Sequence, residues 1–218
     1  MKLVGDWIDR DRGDLAPAWE PAVMAEAVAA AHAAGARVAA HLFGEESVAA
    51  LVRAGVDSVE HGTGLSEEDI AVMADQRTAL VPTMINVRRF GEIVAGAEDK
   101  FPMYVRHMLA MRDGFAAVVA AAHDAGVPIY AGTDAGGGVT HGEIAKEILL
   151  LHHAAGLSTM EALKAASWGA RDWLGFDGLI EGGLADLVLY ERDPRADLAV
   201  VREPKLIILR GRVVTPTG

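Results

Sequence analysis

Residues 37–62 read RVAAHLFGEESVAALVRAGVDSVEHG, and they place a histidine at the end of a short apolar run twice, at His41 and His61. The runs are close to continuously apolar, which indicates strands buried on both faces, as in parallel sheets covered by helices. The residues between them have the composition of a helix. This stretch therefore predicts a strand, a helix and a second strand, with a histidine at the same end of both strands.

The same unit recurs along the chain, in residues 29–41 (AAAHAAGARVAAH), 50–61 (ALVRAGVDSVEH) and 120–134 (AAAHDAGVPIYAGTD). Each predicts the end of a helix, a glycine, a strand and then a ligand-type residue. The glycines are expected to end the helices, because glycine enters the left-handed conformation without a Cβ clash. MKLVG at residues 1–5 and ALVPTM at residues 79–84 predict two further strands.

Three pairs of a hydroxyl and a carboxylate three residues later predict helix starts through capping boxes: Ser66 with Asp69, Thr140 with Glu143, and Ser158 with Glu161. Strands that alternate with helices indicate an α/β fold, either a doubly wound sheet or part of a (β/α) barrel. No GxGxxG follows the first strand, which disfavours a dinucleotide fold. In both architectures, functional groups gather beyond the carboxyl ends of the parallel strands.

Two segments interrupt the alternation. Residues 85–104 (INVRRFGEIVAGAEDKFPMY) are interpreted either as a lid over the strand ends or as a surface loop without a role. Beyond the helix near 159–174, ADLVLYERDP and KLIILRGRVV predict two antiparallel strands separated by a connection that contains proline. We therefore divide the chain into an α/β domain, residues 1–175, and a small C-terminal β segment, residues 176–218.

Composition narrows the classes of partner. The 218 residues are 51% hydrophobic, which suffices for a sizeable core, and the formal charge of −11 disfavours nucleic acid and anionic membranes. The chain has no cysteine, so a metal would rest on histidine, carboxylate or a modified lysine. No apolar stretch reaches the length of a membrane span, and we expect a soluble, cytoplasmic protein.

His41, His61 and Asp134 are expected to meet at the carboxyl edge of the sheet. Neutral imidazoles and carboxylates suit a catalytic divalent ion such as zinc, and such sites keep one position open for water. His141 follows GTDAGGGVT closely, so it is a candidate substrate contact. The glycine-rich loop could also bind phosphate through its amides, although the Asp134 carboxylate argues against that.

Several motifs together resemble the C-terminal part of the amidohydrolase superfamily, nearest its prolidase-type and imidazolonepropionase-type members. They are a strand beginning with lysine (KLVG), VAAH, VEHG, YAGTDAGG, GLSTMEALKAAS, GLIEGGLADLVLY and ILRGRVV, and they cover essentially the whole chain. The resemblance implies a partial (β/α) barrel comprising family strands four to eight, beside a small β-sandwich.

The same resemblance implies the site. Lys2 matches the carboxylated, metal-bridging lysine of strand four, His41 and His61 the ligands of strands five and six, and Asp134 the ligand and general base of strand eight. The implied cofactor is a divalent metal, zinc first, with manganese, iron and cobalt as alternatives. The implied reaction is hydrolysis of the C–N bond of an amide, a cyclic amide or a dipeptide-like substrate.

The chain departs from the family in one large respect. It contains no His-x-His, the motif of family strand one, and nothing that matches strands one to three. It is therefore interpreted as the C-terminal part of a larger enzyme: a subunit that pairs with a second chain, a truncated product, or a remnant that self-associates. A homo-oligomer or a partner chain supplying the missing strands is expected, because strand edges would otherwise be exposed.

Substrate contacts are assigned to residues that follow the seventh family strand. Met84 and Asn86 are the candidates there, beside His141, and Arg88, Arg89 or Tyr104 could meet a substrate carboxylate. A catalytically silent fragment or a non-enzymatic assembly subunit remains the alternative to an enzyme.

Overall fold

The computed structural model describes residues 1–214, so the end of the predicted C-terminal segment, residues 215–218, lies outside the described part. The strands are Lys2–Val4 (β1), Asp6–Asp9 (β2), Asp14–Pro17 (β3), Ala39–Leu42 (β4), Ser58–His61 (β5), Ala79–Val81 (β6), Leu187–Leu189 (β7), Leu206–Leu209 (β8) and Arg212–Val214 (β9). The α-helices are Pro21–Ala33 (α1), Glu45–Arg53 (α2), Glu67–Gln76 (α3), Met84–Val87 (α4), Phe90–Ile93 (α5), Pro102–Asp124 (α6), Ile144–His153 (α7), Thr159–Ala165 (α8) and Trp168–Leu174 (α9). A 3₁₀ helix spans Leu198–Arg202.

The central sheet is parallel, in the order β1-β4-β5-β6. Residues 128–130 continue it beside β6, because Leu80 donates its N–H to the Pro128 carbonyl and accepts from the N–H of Tyr130. The strands thus follow one another in chain order without a reversal. A doubly wound sheet would reverse its order at a switch point. The predicted parallel α/β sheet is confirmed, and no closed barrel forms within residues 1–214.

Helix ends follow the sequence rules at most positions. Gly35, Gly55 and Gly126 have positive φ after α1, α2 and α6, as predicted. Full capping boxes form at Ser66 and Ser158.

The cap predicted at Thr140 with Glu143 is wrong. Helix α7 begins only at Ile144, with Glu143 as its N-cap residue and no side-chain cap bond. Gly142 has φ 90°, and this left-handed residue between Thr140 and Glu143 prevents the two from sharing a first helical turn.

Residues 85–104 are neither an open loop nor a detached lid. They contain α5 and the start of α6, and the side chains of Val87, Phe90 and Val94 are at most 2% exposed. The hairpin β2–β3, directly after β1, was not predicted.

The C-terminal strands form a separate antiparallel sheet, β7-β8-β9, one strand more than the sequence suggested. Every residue in these strands is at least partly exposed. Within residues 1–214, no helix is both long enough and apolar enough to cross a membrane.

Candidate functional site

Two imidazole rings face each other at the carboxyl edge of the sheet. His41 lies on β4 and His61 ends the adjacent parallel strand β5, and His41 Nδ1 and His61 Nε2 are 3.0 Å apart. His61 is buried and has φ 68°, so the chain turns sharply directly after the ligand-type residue. The structure therefore brings together the two histidines that were predicted to lie at the carboxyl ends of neighbouring parallel strands.

Both rings are held in their neutral form. Burial, followed by the nearby Lys2 charge, lowers the pKa of His41 to about 4. Burial, then the neighbouring His41 and Lys2, lowers the pKa of His61 well below its ordinary value. Neutral imidazole is the form that binds a metal ion.

The two rings differ in the contacts of their far nitrogens. His61 Nδ1 lies 2.6 Å from the Thr83 hydroxyl. His41 Nε2 is buried without a hydrogen-bond partner, and the nearest carboxylate oxygen, on Asp6, is 4.0 Å away. Metal-binding histidines usually donate their second ring N–H to such a group, which fixes the ring.

Asp6 fastens the loop that follows His41. Its carboxylate is 1% exposed and accepts the N–H groups of Phe43 and Gly44, at 3.0 and 2.8 Å. Burial raises the pKa of Asp6 to about 6, although these two bonds oppose the shift. The sequence analysis did not identify Asp6. Its position two residues after the first strand, where functional groups of parallel sheets gather, could have indicated it.

Lys2 lies on β1, at the edge of the parallel sheet, and is exposed. Partial burial of its amine lowers the pKa of Lys2, while the carboxylates of Glu60 and Asp134 act in the opposite direction. The Lys2 amine acts on the pKa of His41 and of His61, and the Asp134 carboxylate acts on the pKa of Lys2; that these four side chains share one metal ion stays a prediction.

Asp134 follows the strand at 128–130 in a left-handed conformation, φ 53°. Its Oδ2 accepts a hydrogen bond of 2.9 Å from the Asn86 amide, and Asn86 is 8% exposed. The structure thus joins the predicted general base to one of the predicted substrate-binding residues.

The other predicted substrate contacts, Met84 and His141, take no part in this bond. Met84 is 3% exposed and packs in the core. His141 is exposed and lies beside Gly136 of the glycine-rich loop. The roles assigned to them in substrate binding stay predictions.

Within residues 1–214, the three side chains considered for binding a substrate carboxylate, those of Arg88, Arg89 and Tyr104, make no hydrogen bond to Asp134. Arg88 and Arg89 line a cleft between α4 and α7. Tyr104 lies beside the β2–β3 hairpin, where its N–H bonds to the carbonyl of Gly13.

Glu147 is a further residue that sequence reasoning missed. Its carboxylate is fully buried on α7 and accepts the N–H groups of Met84 and Ile85, both at 2.8 Å. Burial raises the pKa of Glu147 to about 7, against the effect of these two bonds. The sequence pattern that could have indicated Glu147 is its spacing, four residues before Leu151, which puts this carboxylate on the buried face of an apolar helix.

The two histidines fit a metal ion as a pair. A tetrahedral ion with Zn–N bonds of about 2.0–2.1 Å separates two ligand nitrogens by about 3.3 Å, and the observed separation is 3.0 Å. Within residues 1–214, no group of three or more histidine, aspartate or glutamate side chains is arranged to hold an ion. The fit therefore rests on the imidazole pair alone, and the assignment of Lys2 and Asp134 as further ligands stays a prediction.

Comparison with known proteins agrees with the geometry. Residues 14–214 match the family model described as the amidohydrolase family. An uncharacterized protein of Mycobacterium tuberculosis is 50% identical over 216 residues, which are 99% of this chain and 58% of that protein. Ochratoxinase from Aspergillus niger is 29% identical over 175 residues, which are 78% of this chain and 35% of that enzyme.

Among solved structures, a putative prolidase from Bifidobacterium longum superposes with a TM-score of 0.79 at 31% identity, over 91% of this chain and 52% of its own. The chain thus spans little more than half the length of the mycobacterial protein and of this structure.

Proposed function

The chain belongs to the amidohydrolase family, and from this membership we propose that it carries one half of the catalytic centre of a metal-dependent hydrolase that cleaves amide C–N bonds. The observation that carries the proposal is the facing pair His41 Nδ1 and His61 Nε2, both neutral and 3.0 Å apart at the carboxyl edge of a parallel sheet.

The architecture we propose is part of a (β/α) barrel. Five parallel strands that succeed one another without reversal support it, because a barrel is wound in one direction. The sheet β7-β8-β9 would then belong to the small β-sandwich, and its exposed faces are consistent with covering strands from elsewhere.

His41, His61, carboxylated Lys2 and Asp134 would hold the divalent ion, zinc first. Such an ion would lower the pKa of a bound water, so that hydroxide is available as the nucleophile at neutral pH, and would polarise the scissile carbonyl. The lowered pKa of Lys2 supports carboxylation, since a neutral amine is the form that reacts with carbon dioxide.

We propose that Asp134 is the general base and then the general acid. Its carboxylate takes a proton from the attacking water and passes it to the leaving nitrogen as the C–N bond breaks. The Asn86 amide binds Oδ2 of Asp134 and leaves Oδ1 for the proton. Asn86 thereby orients the base, and Glu147 supports the helix that carries Asn86.

The substrate class we propose is an amide, a cyclic amide or a dipeptide-like molecule. The likeness to proteins named prolidase and ochratoxinase supports small amides. His141 and Asn86 are the polar groups we assign to substrate contact, with Met84 forming the packed layer beneath.

The test is hydrolysis of a panel of dipeptides, lactams and N-acyl amino acids with added zinc or manganese. The chain alone should turn over weakly or not at all, and co-expression with the part of the mycobacterial relative that the match leaves uncovered should restore turnover. Asp134→Asn should abolish that turnover, whereas Asp124→Asn at the exposed end of α6 should not. Turnover that survives Asp134→Asn would reject the assignment of the base.

A second candidate function is an assembly subunit without activity. Exposed apolar side chains favour it, since Trp7, Leu179 and Val213 are 60%, 85% and 60% exposed. Native mass spectrometry separates the two. A non-identical partner with bound metal supports the enzyme, whereas a metal-free assembly of identical chains supports the silent subunit.

A further inference from the structure

An open cleft of about 540 Å³ lies between the end of α4, the glycine-rich loop and α7. Ile85, Arg88 and Arg89 form one wall and residues of α7 the other, with Arg202 of the 3₁₀ helix at the rim. Its size suits one small organic molecule.

The charge of the cleft is opposite to that of the protein. The chain carries a net charge of −11, yet Arg88, Arg89, Lys146 and Arg202 line this cleft against the single carboxylate of Glu143. Glu143 pairs with Lys146 at 2.6 Å, and Glu92 pairs with Arg89 at 2.9 Å. Within residues 1–214, neither Arg88 nor Arg202 has an ion-pair partner, so two guanidinium groups are available to an anion.

Arg89 lies against the bare backbone of Gly138. A Cβ at Gly138 would overlap the guanidinium of Arg89, so the loop backbone forms the surface on which this side chain lies. The same side chain makes an ion pair with Glu92.

The rest of the lining is apolar. Ile85, Val139, Leu149 and Leu150 face the cleft between the cations. A guanidinium fork matches a carboxylate, and the apolar lining matches a hydrocarbon or aromatic body.

The cleft shares two elements with the Asp134 side of the molecule. Asn86, which binds Asp134, lies about 100° around the helix from Ile85, because α-helices turn about 100° per residue. The glycine-rich loop carries Asp134 at one end and Val139 at the other, joined by the Ala135–Val139 bridge. Neither His41 nor His61 lines the cleft.

We infer that this cleft binds a small organic carboxylate with an apolar body, held by Arg88 and Arg202. The inference requires no metal and stands independently of the hydrolase proposal.

The test is calorimetric titration of the metal-free chain with octanoate, with octan-1-ol and acetate as probes that lack the charge or the apolar body. Octanoate should bind saturably, and each of Arg88→Gln and Arg202→Gln should weaken binding roughly tenfold, the expected loss of one charge-assisted contact. The matched control is Arg106→Gln, an exposed arginine of α6 that does not line the cleft. It should leave the affinity unchanged.

Gly138→Ala provides a second variant. The three atoms nearest the added methyl all belong to the Arg89 guanidinium, which must shift within the cleft that it lines, so octanoate should bind more weakly while the protein unfolds at the wild-type temperature. The inference is overturned if octanoate does not bind, if octan-1-ol or acetate binds as tightly, or if the Arg88 and Arg202 variants bind like Arg106→Gln.

Discussion

Thr83 is the residue on which the orientation of His61 depends. It sits in a left-handed conformation, φ 47°, which is rare for a β-branched residue, and its hydroxyl lies 2.6 Å from His61 Nδ1. Strain of this kind persists only where surrounding contacts enforce it. Here it aims the hydroxyl at the ring.

We predict that Thr83→Val weakens zinc binding by about 10–100-fold, the usual effect of losing a group that orients a metal ligand. Valine keeps the shape and removes only the hydroxyl. Thr78→Val is the matched control, because Thr78 is also buried but bonds to Val56 at the opposite end of the sheet. Equal zinc affinity in the two variants, measured by competition with a chelating dye, would contradict the role given to Thr83.

Glu147 makes the stability of the fold depend on pH. Its pKa is about 7 in the fold against 4.5 when unperturbed, so the native state binds more protons between these values and stability falls as pH rises through them. The shift corresponds to about 3 kcal/mol. Asp6 acts in the same direction and His41 in the opposite one, so the wild-type profile alone is not diagnostic.

We predict that Glu147→Gln removes this component. Urea unfolding at pH 5 and pH 8 gives the free energy of unfolding of both proteins. From pH 5 to pH 8, the difference between variant and wild type should move in favour of the variant by up to about 3 kcal/mol, because an amide does not ionise. Parallel profiles for the two proteins would refute the assignment.

The site residues divide by how they could be predicted. Reasoning from the parallel strands alone predicted that His41, His61 and Asp134 lie at the carboxyl edge of the sheet, whereas Lys2 needed the family resemblance. Asp6 and Glu147 were missed because their partners are backbone N–H groups 37 and 63 positions away, and no local pattern encodes such pairs.

At the scale of elements, the segment after β6 is part of the core. Helix α5 carries Phe90, whose side chain is fully buried. The Phe90 ring packs edge to face against Phe43, with 4.9 Å between the ring centroids. The spacing of Val87, Phe90 and Val94 at three and four residues is helical, and this signal was present in the sequence.

We predict that Phe90→Ala destabilises the fold by roughly 3–5 kcal/mol, the usual cost of truncating a buried phenylalanine. Ile93→Ala is the matched control, since Ile93 lies on the same helix and is 47% exposed. Chemical unfolding should show a far smaller loss for Ile93. A loss below about 1 kcal/mol for Phe90 would restore the interpretation of this segment as a lid.

The parallel strands were the most predictable elements, because each contains a short apolar run, and a glycine precedes β4, β5 and the strand at 128–130. The β2–β3 hairpin was the least predictable. Its strands contain Asp6, Asp9 and Asp14, and the pairing is stabilised by contacts with α6 rather than by strand propensity.

At the scale of the whole molecule, the chain covers only part of the length of its relatives. The chain spans 58% of the mycobacterial protein and about half of the solved relatives. The imidazole pair lies at the carboxyl edge of a sheet whose β1 strand has one unpaired side. We expect the remaining ligands and the cover for β7-β8-β9 to come from the region that this match does not include.

The most direct measurement is calorimetric titration of the chain with zinc, for the wild type and for His41→Asn, His61→Asn and the exposed control His153→Asn. The account predicts one zinc per chain, an affinity at least tenfold weaker in each of the first two variants, and no change in the control. Thermal unfolding confirms that the compared proteins are folded. Equal zinc affinity in all four proteins would contradict the claim that His41 and His61 form the metal-binding half of a hydrolase site.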